Sequence, residues 1–165
     1  MASKKNINVM WFRQDLRLAD NPALSKAIDD GKTLPIFIFD NVNSKDHING
    51  SASKWWLYHS LTKLNQSLKN KLCFFKGSPL EILDGIHKEY KIINIFWNRC
   101  YEPWRIRRDK KIKKYFNDID VKVSTFNGSL LWEPWNIAKK DGTPYKVFTP
   151  YYRKGCLNSE KPRIP

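Results

Sequence analysis

Arg13, Asp15, Arg17 and Asp20 alternate in sign over a short polar stretch near the start of the chain. Guanidinium and carboxylate groups so arranged can pair bidentately and fix a loop, or an arginine can face the anionic group of a ligand or a partner domain. A second charged run begins at Trp97-Asn98-Arg99-Cys100-Tyr101-Glu102-Pro103-Trp104 and holds seven basic residues and one acidic one between Arg105 and Lys114. On a helix these would surround a narrow apolar stripe of Ile112, Tyr115 and Phe116. The run is then either a solvated basic face over a core stripe or a surface for phosphate backbone, with Arg105, Arg107 and Arg108 as candidate nucleic-acid contacts.

Several familiar chemistries have no footing. The glycines stand at 31, 50, 77, 85, 128, 142 and 155, which makes neither GxGxxG nor GxxxxGK. The histidines, His47, His59 and His87, lie in no metal-ligand spacing with a cysteine, and no GxSxG nucleophile elbow occurs. No catalytic residue and no metal ligand is assigned. Cys73, Cys100 and Cys156 are widely spaced and odd in number, which argues against a disulfide framework.

Those loops need a scaffold, and the chain is long enough to provide one. Its 165 residues can bury roughly 70% of their extended surface. Hydrophobic residues make up 41% and aromatics 14%, so a disordered chain is excluded. No apolar run approaches the roughly 20 residues of a membrane span and no signal core opens the sequence. The expectation is a cytoplasmic protein, monomeric and without membrane association. The net charge, 30 − 16 = +14, attracts polyanions without specificity, and 22 of the 30 basic residues are lysine, which a compositional bias would also produce.

Apolar runs at Ile7 to Phe12, Leu34 to Phe39, Leu72 to Phe75, Ile92 to Trp97 and Val121 to Phe126 read as five strands. Between them lie four helical segments. Asn21-Pro22 gives an N-cap and first-turn proline, with Leu24, Ala27 and Ile28 at helical spacing. Ser51 to Lys69 places Leu57, Leu61, Leu64 and Leu68 on one face. Ser78-Pro79-Leu80-Glu81 reads as a capping box ahead of Ile82, Leu83, Ile86 and Tyr90. Pro103 opens the fourth helix, which ends near Asn117. Strands alternating with helices make a single α/β domain, a three-layer, doubly wound, mainly parallel five-stranded sheet of Rossmann-like type. Ligands of such sheets sit beyond the carboxyl ends of the strands, which directs attention to the loops Arg13 to Asn21, Asp40 to Gly50, Gly77-Ser78, Asn98 to Trp104 and Asn127 to Trp135.

Three stretches then gain a common meaning. Trp11-Phe12-Arg13-Gln14-Asp15-Leu16-Arg17-Leu18-Ala19-Asp20-Asn21-Pro22-Ala23-Leu24, Tyr101-Glu102-Pro103 with Arg108-Asp109, and Val147-Phe148-Thr149-Pro150 resemble, in order and separation, the amino-terminal domain of the DNA photolyase and cryptochrome family. Gly50-Ser51-Ala52-Ser53-Lys54-Trp55-Trp56-Leu57 supports the resemblance, which covers about residues 7 to 153.

The resemblance implies that residues 1–150 are an antenna domain and 151–165 the start of an interdomain linker. It implies a chromophore, methenyltetrahydrofolate, a deazaflavin or a flavin, with Arg13, Asn98 and Glu102 at or near the cleft and Asp40 and Asn41 on the neighbouring loop. Trp104-Arg105 stands where folate-binding members have Asn-Glu, and Cys100 where deazaflavin-binding members tend to have an acid, so the choice stays open. In the family a helical second domain carries FAD and the dimer pocket and is the partner through which damaged DNA is met. The parent activity implied is a light-driven lyase reaction on pyrimidine dimers, for which this domain alone is not competent. The alternatives are a cryptochrome-type photoreceptor domain, or a basic nucleic-acid or partner-binding module without chromophore.

Overall fold

The computed structural model describes residues 4–44, 47 and 49–164, and these fall into two compact units that divide after Gly128. The first unit holds the whole sheet. Its strands are β1 (Asn6–Phe12), β2 (Thr33–Phe39), β3 (Cys73–Lys76), β4 (Lys91–Asn98) and β5 (Lys122–Phe126), and its helices are α1 (Pro22–Asp29), α2 (Ser51–Ser67), α3 (Pro79–Glu89) and α4 (Pro103–Asn117). The sheet order is β3-β2-β1-β4-β5 and every pairing is parallel. The α/β expectation is therefore met, with "mainly parallel" sharpened to wholly parallel.

The reason for three layers is visible along β1. Ile7, Val9 and Trp11 enter one core with Leu83 and Ile86 of α3 and Ile112 and Phe116 of α4. Met10 and Phe12 point the other way, against Ala23, Leu24 and Ala27 of α1 and Leu61 and Leu64 of α2. A central strand covered on both faces has no polar side to show, which is why Val9 to Phe12 is an unbroken apolar run, and Asn8 ahead of it is buried with its amide donated to the Ala27 carbonyl.

Local signals held with exceptions at Ile28, at Ser78 and at Tyr115, which leaves the expected α4 stripe of Ile112 and Phe116, being 37% exposed with its hydroxyl donated to Asp84 at 2.7 Å. Asn21 caps α1, its side chain accepting from the Leu24 N–H at 3.2 Å, and Gly31 leaves that helix at φ +123°. Ile28, however, is 60% exposed, and the inward position is taken by Ala23, because α1 presents a narrower and smaller-residue face to the sheet. Ser78 stands at the N-cap of α3 but its side chain makes no capping hydrogen bond, so the capping box is not formed; Pro79 at the first position starts the helix instead.

The second unit, Ser129–Pro165, contains little regular structure beyond short helical turns at Phe148–Pro150, Tyr151–Gly155 and Cys156–Asn158. Trp132 Nε1 donates to the Glu160 carbonyl at 2.7 Å, and a Cβ on Gly155 would lie 2.5 Å from the Ile137 side chain. No described helix is long and apolar enough to cross a membrane.

Candidate functional site

The strand order reverses direction between β1 and β4, and the crevice at such a switch point is the usual place for a ligand. Here Arg13, which leaves β1, fills it. Its Nη2 donates to the carbonyl of Asn98 at the end of β4, and its Nη1 lies 2.5 Å from Oδ2 of Asp109 on α4. The Arg13 guanidinium also sits 5.2 and 5.6 Å from the ring centres of Trp11 and Trp97.

Asp109 is shared. Its Oδ1 accepts from Nε and Nη2 of Arg108 at 3.0 and 2.8 Å, and Arg108 Nη1 reaches Oδ2 of Asp40, beyond β2, at 3.0 Å. The other Asp40 oxygen accepts from the N–H groups of Val42 and Asn43 and from the Asn43 amide. A chain Arg13–Asp109–Arg108–Asp40 thus ties the ends of β1 and β2 to α4, with every member's side chain nearly withdrawn from solvent. Desolvating such charges costs several kcal/mol per ion, which only multiple well-directed partners offset. That is the arrangement seen.

A second buried knot secures the same edge. Asn98 Nδ2 donates to Asp15 Oδ2 at 2.5 Å and to Asn21 Oδ1 at 2.7 Å, while Asn98 Oδ1 accepts from the Ala23 N–H at 3.3 Å. Gly128 closes over it so tightly that a Cβ there would stand 2.5 Å from Asn98 Cγ. Arg17 Nη2 donates to the Gly128 carbonyl and pairs with Asp20 at 3.5 Å. The alternating charges after β1 therefore do fix the loop, but Arg13 reaches across to α4 rather than to a neighbour in the loop.

With the switch point filled, the open space lies to its side. A cleft of ≈ 1570 Å³ runs beyond β1 and β2 between the start of α2 and the start of α4. Trp104 supplies a flat wall, stacked on His47 at 5.9 Å and 15°, and backed by the guanidiniums of Arg105 and Arg108 at 4.7 and 5.3 Å from its ring centre. Trp56, 69% exposed, belongs to the α2 side. On the floor, Trp11 Nε1 and Arg13 Nε are buried and have no hydrogen-bond partner among the described residues.

Of the residues singled out from sequence, Arg13, Asp40 and Asn41 line this cleft. Asn98 lies beneath it, 3% exposed, and Glu102 stands behind Gln14, whose amide donates to it at 2.9 Å, and beside Arg105 at 3.4 Å. Burial works against ionisation of Glu102, but hydrogen bonds from its own backbone and Gln14, with the charges of Arg105 and Arg13, hold its carboxyl below the usual range. Burial pushes the Cys100 thiol up, against the pull of Arg13 and Arg105. The three nucleic-acid candidates separate: Arg107 is exposed, Arg105 flanks Trp104, and Arg108 is 6% exposed and bound to two carboxylates, so it is a strut of the cleft rather than a surface contact. Trp104, Trp56 and His47 were not singled out for the cleft. Nothing in their local sequence marks them, since stacking is a property of the assembled loops.

A family model described as DNA photolyase matches residues 8–165. The chain is 36% identical over 161 residues to a deoxyribodipyrimidine photo-lyase of Agrobacterium fabrum, covering 95% of this chain and 33% of that protein. It is also 36% identical over 155 residues to cryptochrome-2 of Arabidopsis thaliana, covering 91% and 25%. A crystal structure of a bacterial class III photolyase from Agrobacterium tumefaciens superposes with a TM-score of 0.85 at 34% identity, over 98% of this chain and 34% of the other. The chain thus spans a quarter to about a third of the length of these three relatives.

Proposed function

Because this chain belongs to the DNA photolyase family, we propose that residues 1–150 form the light-harvesting domain of a photolyase acting on cyclobutane pyrimidine dimers, with 151–165 opening the linker to a helical, FAD-bearing domain. The observation that carries this reading is the cleft beside the filled switch point: a flat aromatic wall over a rigid, internally neutralised floor. Its volume is above the roughly 300–1,000 Å³ of ordinary ligand pockets, enough for a fused-ring chromophore with a tail. Trp104 and Trp56 are the residues to stack it, Asn41 and Arg105 to hold its polar edge. A methenyltetrahydrofolate, deazaflavin or flavin held there supplies near-ultraviolet and blue absorption for the second domain. The residues of this chain bind, orient and exclude water; dimer splitting is assigned to none of them.

The likeness to cryptochrome-2 supports a second reading, a photoreceptor domain built on the same cleft. Both readings share one test. The purified chain is incubated with methenyltetrahydrofolate, a deazaflavin or a flavin, desalted, and its absorption recorded. One chromophore is expected to stay with the protein near one to one and to be lost in Trp104→Ala. Retention of none, by a chain that is folded by circular dichroism, overturns the antenna assignment.

A further inference from the structure

Two asparagines in the chain precede glycine, in Asn49-Gly50 and Asn127-Gly128. At such a pair the backbone nitrogen of the second residue can attack Cγ of the first, and glycine, without a Cβ, obstructs that attack least. Local geometry decides whether it happens. The nitrogen and Cγ must be free to close a ring, and a displacement of about 1 Å from a productive geometry can cost about 100-fold in rate.

The two pairs are held very differently. Asn49 and Gly50 are both exposed where the chain enters α2, and Asn49 lines the cleft. Gly50 is extended, at φ −66° and ψ 172°, and a Cβ on it would meet nothing within 4 Å. Its carbonyl accepts from the Lys54 N–H at 3.0 Å, while its own N–H and the Asn49 amide have no hydrogen-bond partner among the described residues. Asn127 instead accepts the Tyr101 hydroxyl on its Oδ1 at 3.4 Å. Gly128 is buried, its carbonyl accepts from Arg17, and a Cβ on it would stand 2.5 Å from Asn98 Cγ. That peptide cannot swing without displacing Asn98.

We propose that Asn49 is a self-modifying position, at which the folded chain converts its own side-chain amide to a carboxylate. The Gly50 nitrogen loses its proton and bonds to Cγ, the Cγ–Nδ2 bond breaks, and ammonia leaves with that proton. Water then opens the five-membered imide at either carbonyl. One opening gives aspartate; the other gives isoaspartate, whose main chain runs through an extra methylene. Water is the only co-reactant.

The product suits its place. α2 has no acid in its first turn and no side-chain cap at Gly50, so the partial positive charge of its first N–H groups is unanswered. A carboxylate at position 49 answers it and sets a negative charge on the wall of the cleft. The step needs neither a chromophore nor a second domain, so it holds or fails apart from the antenna reading.

The test incubates the full chain at mildly alkaline pH, samples it over days and analyses its peptides by mass spectrometry. Isoaspartate is detected by methyl transfer from a protein isoaspartyl methyltransferase, and released ammonia is assayed. In the folded chain the Asn49 peptide is expected to convert at least about tenfold faster than the Asn127 peptide, and in urea-unfolded chain the two should convert at matching rates. Gly50→Ala should slow conversion at position 49 by about tenfold or more, with circular dichroism unchanged. Asn49→Asp, which stands for the product, should raise the melting midpoint. Equal rates at the two asparagines in the folded chain, or the same ratio folded and unfolded, overturn the proposal. So does a Gly50→Ala chain that converts as fast as the unaltered one, and a midpoint lowered by Asn49→Asp overturns the fit of the product to α2.

Discussion

Arg13 and Asp109 stand 96 positions apart in sequence and 2.5 Å apart across the top of the sheet, the guanidinium of one leaving β1 and the carboxylate of the other entering from α4. The contact occupies the crevice that the strand order opens, and it moves the available binding space sideways, toward α2.

Removing that carboxylate strands two buried guanidiniums at once. Asp109→Ala is expected to cost about 3–5 kcal/mol, lowering the melting midpoint by about 10 °C for a chain of this size. Thermal and urea denaturation measure it. A loss under about 1 kcal/mol would mean that the pair contributes no more than an exposed salt bridge does.

Gly128 and Gly85 should respond in opposite directions to alanine. At Gly128 the new methyl meets Asn98 Cγ at 2.5 Å, and Asn98 cannot retreat without releasing Asp15 and Asn21, so overpacking of about 1–3 kcal/mol is expected. Gly85 lies within α3 with nothing within 4 Å of its added Cβ, and Gly85→Ala should stabilise by about 0.5–1 kcal/mol. The same denaturation curves read both.

Glu102 should titrate below the ordinary glutamate value. With a depressed folded value, its contribution to stability is present above the unfolded pKa and disappears as pH falls through the folded one. Gln14→Ala removes one of the hydrogen bonds responsible and should raise the midpoint followed by carboxyl-carbon NMR. A midpoint indifferent to Gln14 would leave the shift to the hydrogen bond from Glu102's own backbone and to the arginines.

Cys100 should be the slow thiol. It is 7% exposed and burial lifts its pKa, so at pH 8 it holds less thiolate than a free cysteine and should react with a disulfide reagent more slowly than half-buried Cys73. Arg105→Ala takes away an opposing positive charge and should slow it further. Faster labelling of Cys100 than of Cys73, located by mass spectrometry, contradicts this.

What could be read from sequence followed from local physics. Asn21-Pro22 and Pro103 mark helix starts because capping and a fixed φ act within one turn, and the run Val9 to Phe12 marks a central strand because both faces are covered. Arg108 could not be read the same way. Its place four and eight positions before Ile112 and Phe116 sets it on the inward face of α4, but its partner lies 68 positions earlier, at Asp40, where no local spacing points. Ile28 failed for a related reason: spacing gives the period of an amphipathic helix, while which way its apolar arc is turned, toward Ala23 or toward Ile28, is set by the sheet it packs on.

The Arg13–Asp109–Arg108–Asp40 chain contains two positive and two negative groups, so it sums to zero inside a molecule whose total is +14. All of that surplus lies outside it. Ionic strength should therefore leave this buried strut almost untouched while it screens the exposed charges that carry the surplus, so the frame of the cleft keeps its shape in salt that weakens every charged encounter at the surface.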